Sequence, residues 1–222
     1  MENIITCLKE SGYDSLNVLQ QDIRRMILDM IIDKGDSVSY DEIRCEGKRR
    51  GIDIKLINLT LLKFEEEHYF VAEDNEVVFM YPVSSKPTNH RVKLADGREF
   101  CAMCAIDSLG SAVTFDQDVT IDSKCMMTQK DIHVEVKDGK IANVNNQDIR
   151  VLHVNMDNYS NWAASCWNDM NFFWTEKEYD EYVEASGQAE NVGNGIYKLD
   201  IYEALEAGTE LFSTLKYINK AM

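Results

Sequence analysis

The chain has 222 residues, 45% of them hydrophobic, enough to bury a core in one or two small domains. Its 23 Lys and Arg against 39 Asp and Glu give a formal charge of −16, which argues against nucleic acid as a partner, because such binding rests on cations displacing phosphate counterions. No apolar run reaches membrane-spanning length and Met1-Glu-Asn lacks the character of a signal peptide, so a soluble, cytoplasmic protein with no membrane partner and six reduced cysteines is expected.

From Leu16 to Lys34, apolar residues recur at helical spacing (Leu19, Ile23, Met26, Ile27, Met30, Ile31), and Gly35 closes that helix. Ser39-Tyr-Asp-Glu42 has the form of a capping box opening a second helix, with Gly47 and Gly51 marking its end and the turn. A third helix is expected from about Ile54 to Glu67, with Leu56, Leu59, Leu62 and Phe64 turned inward. Tyr69-Phe-Val and Val77-Val-Phe-Met flank Glu73-Asp-Asn-Glu76 as a hairpin. Three helices and a hairpin make a winged-helix pattern. It carries the basic run Lys48-Arg-Arg50, yet Leu16 to Ser84 holds 9 basic and 14 acidic residues. Its third helix ends in Glu65-Glu-Glu67, a poor surface for phosphates.

Ser84-Ser-Lys-Pro-Thr88 reads as a linker, and Pro82 and Pro87 both break regular structure there. Beyond it, His90-Arg-Val-Lys-Leu94 and Arg98-Glu-Phe100 flank Asp96-Gly97, a hairpin signal. Ile132 to Val136 turns at Asp138-Gly139 and returns through Lys140 to Val144. Val151 to Val154 and Met170 to Trp174 read as further strands. Thr175-Glu-Lys-Glu178 and Asp200-Ile-Tyr-Glu203 cap two closing helices, with a loop from Gly187 to Gly195 between them. The expected fold is α+β: a winged-helix-like helical part, residues 1–84, followed by an antiparallel-sheet-rich part, residues 85–222.

The chemistry centres on Phe100-Cys-Ala-Met-Cys-Ala-Ile-Asp-Ser-Leu-Gly110. A redox C-x-x-C opens a helix in a βαβ setting, whereas Cys101 and Cys104 sit among antiparallel hairpins. A structural zinc site wants a second pair, and neither Cys125 nor any His spacing supplies one. The third reading places Cys104 at the start of a short helix that Gly110 stops. Asp107, three residues on, then shares its face, and the helix dipole favours the thiolate. Its bland rival is a packing cysteine beside a solvated aspartate. Cys166 precedes an aromatic strand whose rings read as core. His68, His90, His133 and His153 read as surface or satisfied histidines, and a Cys166 hydrolase with His153 and Asn168 lacks a partner motif.

Taken together, these motifs resemble the organomercurial (alkylmercury) lyases. Cys104-Ala-Ile-Asp-Ser-Leu after a hairpin resembles their C-A-L-D-x-L motif, and Cys166 before Phe172-Phe173 and a capped helix resembles their second cysteine motif. Cys125 falls where the family commonly has a structural cysteine. The resemblance is clear from about His90 to Phe212. It implies a lyase in which the Cys104 and Cys166 thiolates capture R–Hg⁺, a soft cation content with two sulfurs. Asp107 then delivers a proton to the carbon, giving RH and Hg(II) with no organic cofactor. Hg(II) stays as bound product on Cys104 and Cys166, with Asp107 as a weaker ligand. Low-molecular-weight thiols or a mercuric reductase would take it up. Cys101 is an extra thiol available as a further ligand. Met103 stands where the family usually has tryptophan, Asn168 and Asp169 where it often has histidines, and Trp167 where some members have another cysteine, so substrate preference is the first property in doubt. The alternatives are a non-catalytic soft-metal binding or relay protein, and a metal-sensing winged-helix regulator.

Overall fold

The computed structural model describes residues 15–155 and 169–213. Helix α1 (Val18–Lys34) opens on a reciprocal Asn17–Gln20 cap and closes on Gly35 at a left-handed φ of 67°. Strand β1 (Val38–Ser39) runs straight into α2 (Tyr40–Arg49), capped by Ser39 and Glu42. Gly47 lies inside α2 and does not end it. A Cβ there would come within 2.4 Å of Ile57 Cδ1, so glycine is what lets α3 (Ile54–Glu66) pack closely. The inward face of α3 also differs from expectation. Leu56, Leu59 and Leu62 are 44%, 53% and 54% exposed, while Ile57, Thr60, Leu61 and Phe64 are buried. This helix is apolar on nearly every side, so periodicity allowed two faces. The Gly47–Ile57 contact and the edge-on packing of Phe64 against Tyr69 and Phe70 select one.

Strands β2 (Phe70–Glu73) and β3 (Glu76–Met80) form the expected hairpin through Asp74 and Asn75. Strand β4 (Val83–Ser84) pairs with β3 on one side and with β6 (Glu99–Ala102) on the other, and β6 pairs with β5 (His90–Leu94). After α4 (Ala105–Phe115) come β7 (Val119–Lys124), β8 (Asp131–Lys137) and β9 (Lys140–Val144). Among the described residues these make one antiparallel sheet of order β1-β3-β4-β6-β5-β7-β8-β9, with β2 beside β3, continuous across residue 84. Strand β7 escapes the hydrophobic pattern because its third inward position is Ser123.

A second sheet has the order β11-β10-β12, built from β10 (Arg150–Val154), β11 (Phe172–Phe173) and β12 (Ile196–Asp200). The strand expected over Met170–Trp174 pairs only at Phe172 and Phe173. Between β11 and β12 lie α5 (Glu176–Ala185) and a short 3₁₀ turn at Ala189–Asn191; α6 (Ile201–Phe212) closes the described chain. The helix after Cys104 is longer than expected: Gly110 does not stop α4, which ends on Asp116 in the left-handed region. Gly110 instead faces Gly208 of α6, where each glycine's missing Cβ would lie 2.9 Å from the other's backbone. These two helices cross at backbone contact, and α4 is buried along nearly its whole length.

Candidate active site

Cys104 is the N-cap of α4, placed by the end of β6. Its Sγ accepts the Asp107 N–H at 3.4 Å. Both side chains are buried, Asp107 to 3% exposure. Its carboxylate takes hydrogen bonds from the Cys104 thiol and backbone N–H, and Oδ2 is buried without a partner. Burial outweighs those two bonds and pushes the Asp107 carboxyl up to about 7. The solvated-aspartate alternative therefore does not hold, and the thiol and acid are buried together at a helix N-terminus, where the Asp107 N–H already points at the sulfur and the helix dipole favours its anion. Ser108 and Ser111 of the same helix satisfy themselves on the Ala105 and Asp107 carbonyls.

The segment that follows the second cysteine motif is fastened beside this pair. Three successive carbonyls are occupied: Met170 O by the Ala105 N–H at 2.9 Å, Asn171 O by the Leu152 N–H at 3.1 Å and Phe172 O by the Met126 N–H at 2.9 Å. Cys166, Trp167 and Asn168 lie outside the described residues. Cys101 is half-buried on β6 between Ser84 and Arg91 and lines a separate cleft of about 190 Å³ with Ile31, Gly35 and Lys86. Cys125 is buried; its sulfur accepts the Trp174 N–H at 3.3 Å and its thiol points at Glu178 Oε2 at 3.6 Å, pinning β7 to the start of α5. Among the described residues, no group of three or more His, Cys, Asp or Glu is arranged to hold a metal ion.

A cleft of about 420 Å³ is lined by Pro87, Thr88, Asn89, His90, Met126, Asn171 and Met103, the residue that precedes Cys104. His90 is buried at an inward position of β5, with Nδ1 2.9 Å from Ser123 Oγ and a further hydrogen bond to the Asn171 side chain. Burial lowers its pKa to about 4, so the imidazole is neutral. Sequence reasoning passed over His90 and Asn171 as site neighbours. The available signal was a histidine at an inward position of an alternating strand; its partner Ser123 lies on β7, which the hydrophobic pattern does not mark. His153 is also buried, its Nδ1 without a hydrogen-bond partner and its pKa lowered to about 4. His133 lies at the surface, 2.7 Å from Asp122.

Residues 83–213 match the alkylmercury lyase family. The chain is 25% identical over 187 residues to an alkylmercury lyase of Staphylococcus epidermidis, covering 84% of this chain and 80% of that one. It is 24% identical over 176 residues to the alkylmercury lyase of Bacillus cereus, covering 79% and 75%. In fold it is similar to the crystal structure of the mercury-bound form of MerB2, with a TM-score of 0.73 at 24% identity, over 93% of this chain and 98% of that one.

Proposed function

The chain belongs to the alkylmercury lyase family of enzymes, and from that premise we propose that it cleaves the carbon–mercury bond of R–Hg⁺ by protonolysis. The observation that carries this reading is the buried Cys104–Asp107 pair, in which a carboxyl held near neutrality touches the thiol. In the proposed sequence Cys104 takes the mercury of the substrate and its thiol proton passes to Asp107. Cys166 adds the second sulfur. Two thiolates enrich the metal in electron density and make the bound carbon more basic. The Asp107 carboxylic acid then protonates that carbon, releasing RH, while Hg(II) stays on Cys104 and Cys166. Atoms balance without oxidant or reductant: overall one C–Hg and two S–H bonds break and one C–H and two Hg–S bonds form, the Cys104 proton passing through Asp107 to the carbon and the Cys166 proton leaving to solvent. A low-molecular-weight thiol or a reductase acting on Hg(II) then removes the product, consistent with a cytoplasmic setting; among the described residues no helix is long and apolar enough to cross a membrane.

In the same reading residues 1–84 are a winged-helix-like part that supports the catalytic part, residues 85–222; the run of α1, α2, α3 and the β2–β3 hairpin favours that description. Its third helix turns Leu59 and Leu62 outward and ends in glutamates, which speaks against a phosphate-reading role.

The test is benzene release from a phenylmercury salt in excess thiol by the wild type and by Cys104→Ala, Asp107→Ala and Cys166→Ala. Loss of a general acid is expected to slow Asp107→Ala by about 10²-fold or more, with mercury capture retained. Wild-type protein that holds Hg(II) yet releases no benzene would replace the lyase by the metal-binding alternative.

A further inference from the structure

We propose that the outward face of α3 is where a second copy of this chain docks, the two α3 helices packing antiparallel about a two-fold axis. The core takes Ile57, Thr60, Leu61 and Phe64 from this helix. Leu56, Leu59 and Leu62 are left about half exposed. Their spacing of three makes them one continuous apolar stripe, not scattered single residues. Lys55 and Glu66, both exposed, bound the stripe at its two ends. The nearby Lys63 and Glu67 pair with each other at 3.7 Å, whereas among the described residues Lys55 and Glu66 have no ion-pair partner.

The order of charges along this face selects the partner. Lys55, Leu59, Leu62 and Glu66 follow one another at steps of four, three and four, the seam spacing of paired helices. They therefore form one line along α3, about 16 Å long. Four, three, four reads the same in either direction. A second α3 turned end for end sets Leu59 on the partner's Leu62 and Lys55 against the partner's Glu66. Each contact occurs twice, because a two-fold interface is isologous. A parallel pair would stack lysine on lysine and glutamate on glutamate, which repel. A formal charge of −16 on each copy opposes association. At about 0.15 M salt, where the Debye length is about 8 Å, that long-range repulsion is screened and the contact pairs much less so.

Sedimentation equilibrium of the full chain at about 0.15 M salt is the test. The wild type should contain a species of twice the 25.5 kDa chain mass. Leu59→Glu, which puts a carboxylate in the middle of the seam, should leave monomer alone. Lys55→Glu sets acid against acid at both ends of the pair, and Glu66→Lys sets base against base. Each should raise the dissociation constant by about tenfold. The two together only reverse the pattern, and should return the constant to within about threefold of the wild type. A face that meets a different protein or a lipid surface has no reason to be rescued in this way. All four positions are exposed, so the variants should fold, which far-ultraviolet circular dichroism checks. A wild type that stays monomeric at about 100 μM overturns the proposal. A lowered unfolding midpoint in Leu59→Glu would then assign the stripe to a segment of the same chain, and an unchanged one to a partner of another kind. A dimer that survives Leu59→Glu and ignores both charge reversals also overturns it, having formed through another face.

Discussion

Burial of Asp107 costs stability at neutral pH while favouring the protonated form that its proposed role as acid needs. Its carboxyl titrates at about 7 in the folded chain against 3.8 in an unfolded one. The folded state thus binds the extra proton between those values, and stability falls as pH rises from about 4 to about 7, the deficit persisting above. At one pKa unit per about 1.4 kcal/mol, the stake is of order a few kcal/mol. Asp107→Asn keeps the shape without the charge. It should be more stable than the wild type to urea at pH 8, by about 1–3 kcal/mol, with the gain gone near pH 4. An equal difference at both pH values would mean that the carboxyl is not strained. In the wild type, the proposed role as acid requires the protonated form, so kcat should decline about tenfold per pH unit above 7.

That pair reaches its geometry through the elements that hold it, and α4 is fixed chiefly by α6. The crossing is set by Gly110 and Gly208, because a Cβ at Gly208 would lie 2.9 Å from both the Ile106 carbonyl and the Gly110 amide. Backbone atoms cannot rotate away as a side chain can. Gly208→Ala should therefore destabilise by about 1–3 kcal/mol through overpacking. It should also lower turnover, since Ile106 adjoins Asp107. Thermal unfolding and benzene release measure both; unchanged turnover in a folded Gly208→Ala would uncouple α6 from the site. The sequence showed these elements unevenly. Capping boxes at Ser39, Thr175 and Asp200 marked helix starts correctly, because that signal is local and stereochemical. Gly47 and Gly110 read as punctuation, whereas both serve helix contacts, Gly47 with Ile57 of the next helix and Gly110 with Gly208 of α6, far along the chain. The spacing of Cys104 and Asp107 foretold their contact, since i and i+3 are neighbours on any helix. The His90–Asn171 wall depends on strand pairing and was not legible from spacing.

At the scale of the whole molecule, the N-terminal helices are tied into the site's scaffold at several points. Arg25 of α1 lies 4.5 Å from the Phe115 ring and donates to the Thr114 carbonyl at 3.0 Å, while Arg98 bridges Asp29 and Asp96. Acid should thus unfold the described parts as one unit, and two competing effects decide how. With an isoelectric point near 4.6, the chain loses its negative self-repulsion as pH falls, which favours compactness. Protonation of Asp107 adds to that gain. Against it stand His90 and His153, both neutral in the fold with pKa values near 4 against 6.5 unfolded. A depressed histidine pKa supports the fold above pH 6.5 and withdraws that support as pH falls toward 4. Each shift is worth a few kcal/mol at most, by the same conversion of about 1.4 kcal/mol per unit. Two histidines outweigh one carboxyl, so stability should drop between pH 6.5 and 4 even though net charge is approaching zero. His153→Leu removes one of these groups where Nδ1 has no hydrogen-bond partner to lose, and should shift the acid-unfolding midpoint, followed by near-ultraviolet circular dichroism, to lower pH. The same midpoint in wild type and variant would leave the charge balance, and not the buried histidines, in control of the acid limb.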